Sequence, residues 1–124
     1  ALLVIENAIS LKEYAKTGVE INANVSVELL NTIFFKNTAL HDGAVIISGE
    51  KIVAASCILP LSDNQSLKKT YGTRHRAGLG ISEETDSFVI IVSEETGNIS
   101  VAVKGKLVSD IDEEFLKELM ATHM

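Results

Sequence analysis

The sequence predicts a single α/β domain over residues 1–124, with a central mixed β-sheet flanked by helices on both faces. Two observations carry this. The compact apolar runs 44–47, 52–55 and 88–92 lack polar alternation, the pattern of strands covered on both sides. Segments with helical signals lie before, between and after them, so helices have a sheet to pack on from either side. A chain of 124 residues with 46% hydrophobic content also suffices for one buried core.

Taken in order, residues 2–17 predict an amphipathic helix. Leu2, Ile5, Ile9 and Leu11 recur near helical spacing among Glu6, Asn7, Lys12, Glu13 and Lys16, and Gly18 is a stop signal. Residues 19–23 form a short extended piece. Ser26 caps a second helix over 27–36, with Leu29, Leu30, Ile33 and Phe34 as its buried stripe. The runs 44–47 and 52–55 make a hairpin around Gly49-Glu50, and Pro60 closes the second strand. Residues 61–72 are loop-like. Thr73 caps a helix to about Ile81. Residues 88–92 and 99–103 are paired strands around a turn containing Gly97. Asp110 with Glu113 forms a capping box for a last helix over 111–121.

The formal charge of −6 opposes non-specific binding to a polyanion, so nucleic acid is not expected as a partner. One cysteine, Cys57, excludes an internal disulfide and lies in an apolar stretch as a small core residue. No apolar run approaches the roughly 18 residues of a spanning helix, and no signal peptide is visible. Opening on Ala1 without an initiator Met is expected of a fragment or an engineered chain.

Against this acidic background, the only two arginines flank His75 in Gly72-Thr73-Arg74-His75-Arg76-Ala77-Gly78, just after Lys68 and Lys69. Guanidinium forks match phosphate oxygens two at a time. A solvated basic first turn is the plainer reading, but cations at a helix N-terminus oppose the macrodipole, and a bound polyphosphate would offset that cost. Arg74 and Arg76 point to different sides of a helix, leaving Arg76 available for a structural job. A second segment, Leu40-His41-Asp42-Gly43-Ala44, puts a carboxylate at a strand entrance. It is either ordinary Asp-Gly turn chemistry or a metal ligand or general base. A third, Ser93-Glu94-Glu95-Thr96-Gly97, is either a polar hairpin turn or a hydroxyl and carboxylate at the sheet edge that carries Asp42. His41-Asp42 also matches a class of metal-dependent phosphohydrolases, but those need further ligands, and only His75 and His123 remain. No Walker loop or Gly-x-Gly-x-x-Gly fingerprint is present.

Together, Asp42-Gly43-Ala44 and Arg74-His75-Arg76, about 30 residues apart, resemble the Asp-Gly-Ala and Arg-His-Arg motifs of diadenylate cyclases. These enzymes condense two ATP into cyclic di-AMP and release two pyrophosphates. The resemblance extends to Glu28-Leu29-Leu30-Asn31-Thr32-Ile33-Phe34 and Gly80-Ile81-Ser82-Glu83. It points to the membrane-anchored type, whose cyclase domain is cytoplasmic. Gly78 stands where that pattern carries Ala, which would loosen the helix slightly. The resemblance implies that Asp42, with Mg²⁺ or Mn²⁺, activates the ribose 3′-hydroxyl, with His41 a further candidate ligand. Gly43 and Ala44 would approach the nucleotide and Leu59 the adenine edge. Gly72, Thr73, Arg74 and His75 would hold the triphosphate, Arg74 and His75 acting in catalysis. Ser93 and Glu95 would contact phosphate and metal. Two linkages between two nucleotides require two chains face to face, so a symmetric homodimer is expected. A membrane regulator and phosphoglucosamine mutase are the partners the family suggests. A module that senses ATP or cyclic di-AMP without turnover is the alternative.

Overall fold

The computed structural model describes residues 1–67 and 71–123, so Lys68 and Lys69 of the basic segment lie outside it. The elements are β1 Leu2–Ile5, α1 Lys12–Ala15, β2 Val19–Asn24, α2 Val27–Ile33, β3 Ala44–Ser48 and β4 Lys51–Cys57. They continue with α3 Thr73–Glu84, β5 Phe88–Val92, β6 Ile99–Val103, β7 Lys106–Ile111 and α4 Glu113–His123. The strands form one sheet in the order β2-β4-β3-β1-β5-β6-β7. Among the described residues only β1 and β3 run parallel; the other pairings are antiparallel.

Two apolar layers cover the sheet. On one face Leu2, Val4, Ala44, Ile46, Ala54, Val89 and Ile91 pack with Ala77, Leu79 and Ile81 of α3 and with Leu11 beside α1. On the other, Val45, Ile47, Ile52 and Ala55 pack with Ile33, Leu29, Leu30 and Phe34 around α2. Successive strand residues thus feed opposite cores, which is why these runs are uniformly apolar. Cys57 is a buried free thiol, as expected.

Four expectations fail. Residues 2–17 are not one helix: Leu2–Ile5 is the central strand, and only Lys12–Ala15 is helical. A four-residue apolar run fits either period, and here the ladders to β3 and β5 decide it. The edge strand β7 was not anticipated, and it replaces the expected capping box. Asp110 lies in β7 with φ of 55°, and Asp112 caps α4 by accepting from the Phe115 amide at 2.8 Å. Helix α2 also stops at Ile33, short of Lys36, after Ser26 caps it as expected through the Leu29 amide. Thr73 is the first helical residue of α3 and not its cap; Gly72 holds that position, and the helix runs on to Glu84.

Helix α3 sits unusually close to its neighbours. A Cβ on Gly80 would lie 1.9 Å from the Pro60 carbonyl oxygen, and one on Gly78 would lie 2.7 Å from Ile91 Cδ1. The glycine found in place of Ala at 78 therefore makes room for Ile91 and Val89 and leaves α3 unbroken. Gly80→Ala must push helix and 60–62 loop apart. It is expected to cost about 1–3 kcal/mol, the usual range for overpacking, read as a lower urea midpoint.

Candidate functional site

Chain direction brings the singled-out segments to one end of the sheet. Strands β1 and β3 are parallel, so their starts lie together; β4 and β5 run opposite to them and end there. Asp42 and Gly43 precede β3, Ile58 and Leu59 follow β4, Ser93 to Glu95 follow β5, and α3 begins at the same place.

Two pockets open at this end. An apolar one of about 310 Å³ is lined by Leu2, Cys57, Ile58, Leu59, Leu61 and Ala77, with Asp42, Gly43, Thr73 and Arg74 at its polar side. A polar one of about 350 Å³ is lined by Gly72, Thr73, Arg74, His75, Ser93, Glu94 and Glu95. Thr73 and Arg74 line both, so the two adjoin at these residues as halves of one cleft. The cap residue Gly72 offers no side-chain cap and the first turn of α3 holds no acidic residue, so its leading amides give this end of the cleft partial positive charge.

Of the singled-out residues, Asp42, Gly43, Leu59, Gly72, Thr73, Arg74, His75, Ser93 and Glu95 line this cleft. Ala44 is buried opposite Cys57 and lines neither pocket. Gly43 has φ of +84°, and a Cβ there would meet the Ser56 and Cys57 backbone at 2.8 Å. Its glycine is therefore required by the close approach of β4. Asp42 is at the rim, its side chain 82% exposed, with Oδ1 3.8 Å from His41 Nε2. His41 Nδ1 lies 2.8 Å from the Thr38 carbonyl oxygen. A carbonyl only accepts, so Nδ1 is the donor and Nε2 is the ring nitrogen turned toward Asp42.

The arginines have separate tasks. Arg76 donates to the Ser62 carbonyl at 3.4 Å, and its own carbonyl accepts from the Ser62 amide at 2.9 Å. It ties the 60–67 loop to α3. Arg74 donates instead to Glu94 Oε1 at 3.0 Å, with the two side chains 22% and 46% exposed. Such a half-exposed pair is worth about 0–1 kcal/mol, so it orients Arg74 more than it stabilises the fold. The adjacent guanidinium holds the Glu94 carboxyl below its ordinary range. Sequence reasoning missed Glu94 as this partner, along with Leu2, Ile58 and Leu61 as pocket walls. Opposite charges 20 residues apart carry no local signal.

Residues 1–107 match the family model described as DisA bacterial checkpoint controller nucleotide-binding. The chain is 55% identical over 120 residues to the cyclic di-AMP synthase CdaA of Bacillus subtilis, covering 97% of this chain and 44% of that protein. It is 51% identical, with the same coverage, to a diadenylate cyclase of Listeria monocytogenes. It thus spans less than half the length of these relatives. Its fold superposes on a double mutant of DacA from Staphylococcus aureus with a TM-score of 0.96 at 53% identity, covering 99% of this chain and 82% of that one.

Burial, and then the Arg74 charge, lowers the His75 pKa from its ordinary 6.5. The imidazole is therefore neutral at pH 7. As pH falls through 6.5 the unfolded chain protonates first, so stability declines until pH reaches the lower folded value. NMR titration of the His75 ring should give a pKa below 6.5. Denaturation midpoints at pH 7.5 and about pH 5.5 should differ less in His75→Gln than in the parent.

Proposed function

From the premise that this chain belongs to the diadenylate cyclase (DisA nucleotide-binding) family, we propose that it joins two ATP molecules into cyclic di-AMP and releases two pyrophosphates. The observation that carries this reading is the two-part cleft, with one apolar and one cationic half adjoining at Thr73 and Arg74 and Asp42 at the rim. Adenine suits the apolar half, where Ile58 and Leu59 offer wall and backbone groups. The triphosphate suits the polar half, against the leading amides of α3, Thr73, Arg74 and His75, with Ser93 alongside. Binding would require Arg74 to exchange Glu94 for phosphate oxygens.

Among the described residues, no three His, Cys, Asp or Glu side chains converge as a cage. Mg²⁺ and Mn²⁺ do not need one at a nucleotide, because Mg²⁺ there usually takes one or two carboxylates plus phosphate oxygens and water. Asp42, Nε2 of His41 and Glu95 at the phosphate side fit that role. A bound ion would lower the pKa of the ribose 3′-hydroxyl and offset phosphoryl charge.

Asp42 accepts the 3′-hydroxyl proton. The 3′-oxygen forms a bond to the α-phosphorus of the facing ATP, the α–β bridging P–O bond breaks, and pyrophosphate leaves with that electron pair. Arg74, His75 and the α3 amides stabilise the leaving charge. The reaction runs twice, once from each nucleotide. The outward exposure of Asp42 supports action across a face-to-face pair, because each cleft presents one nucleotide to another. The same reading includes membrane anchorage of the full-length protein, with the cyclase domain on the cytoplasmic side. A membrane regulator and phosphoglucosamine mutase are partners by family likeness alone. Among the described residues no helix is long and apolar enough to cross a membrane.

Incubation with ATP and Mg²⁺ or Mn²⁺ should yield cyclic di-AMP by mass spectrometry, and Asp42→Asn should lower turnover at least about 100-fold. ATP binding by calorimetry with no product under either metal would replace catalysis by sensing. Turnover per chain should also rise with protein concentration at saturating ATP, as a dimer requires. A flat response in a chain that sedimentation shows to be monomeric would remove the paired geometry.

A further inference from the structure

The aromatic contact at the start of α3 has no part in the proposed chemistry. The Tyr71 ring stacks on His75, with centroids 4.4 Å apart and planes inclined by 11°. Its hydroxyl is hydrogen-bonded to Ser109 Oγ on β7. Tyr71 precedes the cap residue Gly72, and His75 is the third residue of the helix. The stack therefore clamps the incoming chain onto the first turn, much as an apolar staple does one residue further along. Tyr71 and His75 together line a polar pocket of about 250 Å³ with Ser93, Glu95, Asn98 and Asp110, next to the cationic half of the cleft.

We propose that Tyr71 is a positioning residue for His75. Its ring covers one face of the imidazole and, anchored through Ser109 to the sheet edge, holds His75 in the orientation that meets the polyphosphate. This rests on the reading of His75 as a polyphosphate contact. A histidine in a first helical turn has several accessible ring orientations. Fixing one of them before the ligand arrives removes an ordering cost from binding. The ring does the positioning and the hydroxyl anchors the ring, so Phe at 71 retains most of the effect and an aliphatic residue does not.

The test has a structural and a kinetic arm. In the nucleotide-free protein, the His75 ring protons, assigned by their absence from His75→Gln, should be shifted upfield by the Tyr71 ring current. Tyr71→Phe should retain that shift and Tyr71→Leu should lose it. The Tyr71→Leu variant should raise the KM for ATP about fivefold, the scale of one aromatic contact, with a smaller change in kcat. Tyr71→Phe and Ser109→Ala should stay within about twofold of the parent. Absence of the upfield shift in the parent overturns the proposal, and needs no variant to fold. So does a Tyr71→Leu protein that loses the shift yet keeps its KM. If the parent makes no cyclic di-AMP, the cyclase reading fails separately. The ring-proton shifts and an ATP titration of parent and Tyr71→Leu then decide the role of Tyr71.

Discussion

Everything at the open end of the sheet depends on how closely α3 lies against its surroundings. Gly80 admits the Pro60 carbonyl, and Gly78 admits Ile91 and Val89. With side chains at these places the helix would stand off, and its first turn would move with it. Thr73 and Arg74, which join the two halves of the cleft, are only a turn or two away. The packing of the helix body thus sets the position of its functional end. Tight packing is what makes that transmission rigid, since a close-packed interior passes displacement on instead of absorbing it.

Around this helix the charged residues divide into anchors and contacts. Arg76, Ser62 and Glu83 fasten the 60–67 loop: Arg76 reaches the Ser62 carbonyl, and the Ser62 hydroxyl donates to Glu83 at 2.9 Å. That loop brings Leu61 to the apolar pocket. Arg74, two residues before Arg76, reaches instead into the polar half. Neighbours in sequence serve opposite ends of the problem because a helix turns them about 200° apart over two residues.

Much of this was legible in the sequence, and the gaps have definite causes. The two hairpins, the Ser26 cap and the both-faces-covered sheet follow from apolar runs, turn residues and a capping serine, all local signals. The central strand β1 was misread because Leu2 to Ile5 satisfies either period until its two neighbours are known. Edge strand β7 was missed because its half-exposed alternation is weak and Asp110 invites assignment as a cap. In the site, Asp42, Thr73, Arg74 and His75 stand out by type and spacing, and they line one cleft. Glu94, Leu2 and Tyr71 do not stand out in this way, because each acquires its role from a partner distant in sequence or from a fold-level neighbour.

The ion pair between Arg74 and Glu94 has a consequence for selectivity. A guanidinium that already has a carboxylate partner is a poor trap for a small free anion. Inorganic phosphate would displace one charged ligand with another and gain little, while meeting the repulsion of Glu94 and Glu95. A nucleotide held by its base in the adjoining pocket presents its phosphates at a high effective concentration, and its accompanying cation screens both carboxylates. The cleft therefore discriminates by how many groups a ligand engages at once. On the proposed reading, a nucleotide that engages both halves would be favoured over simple phosphate.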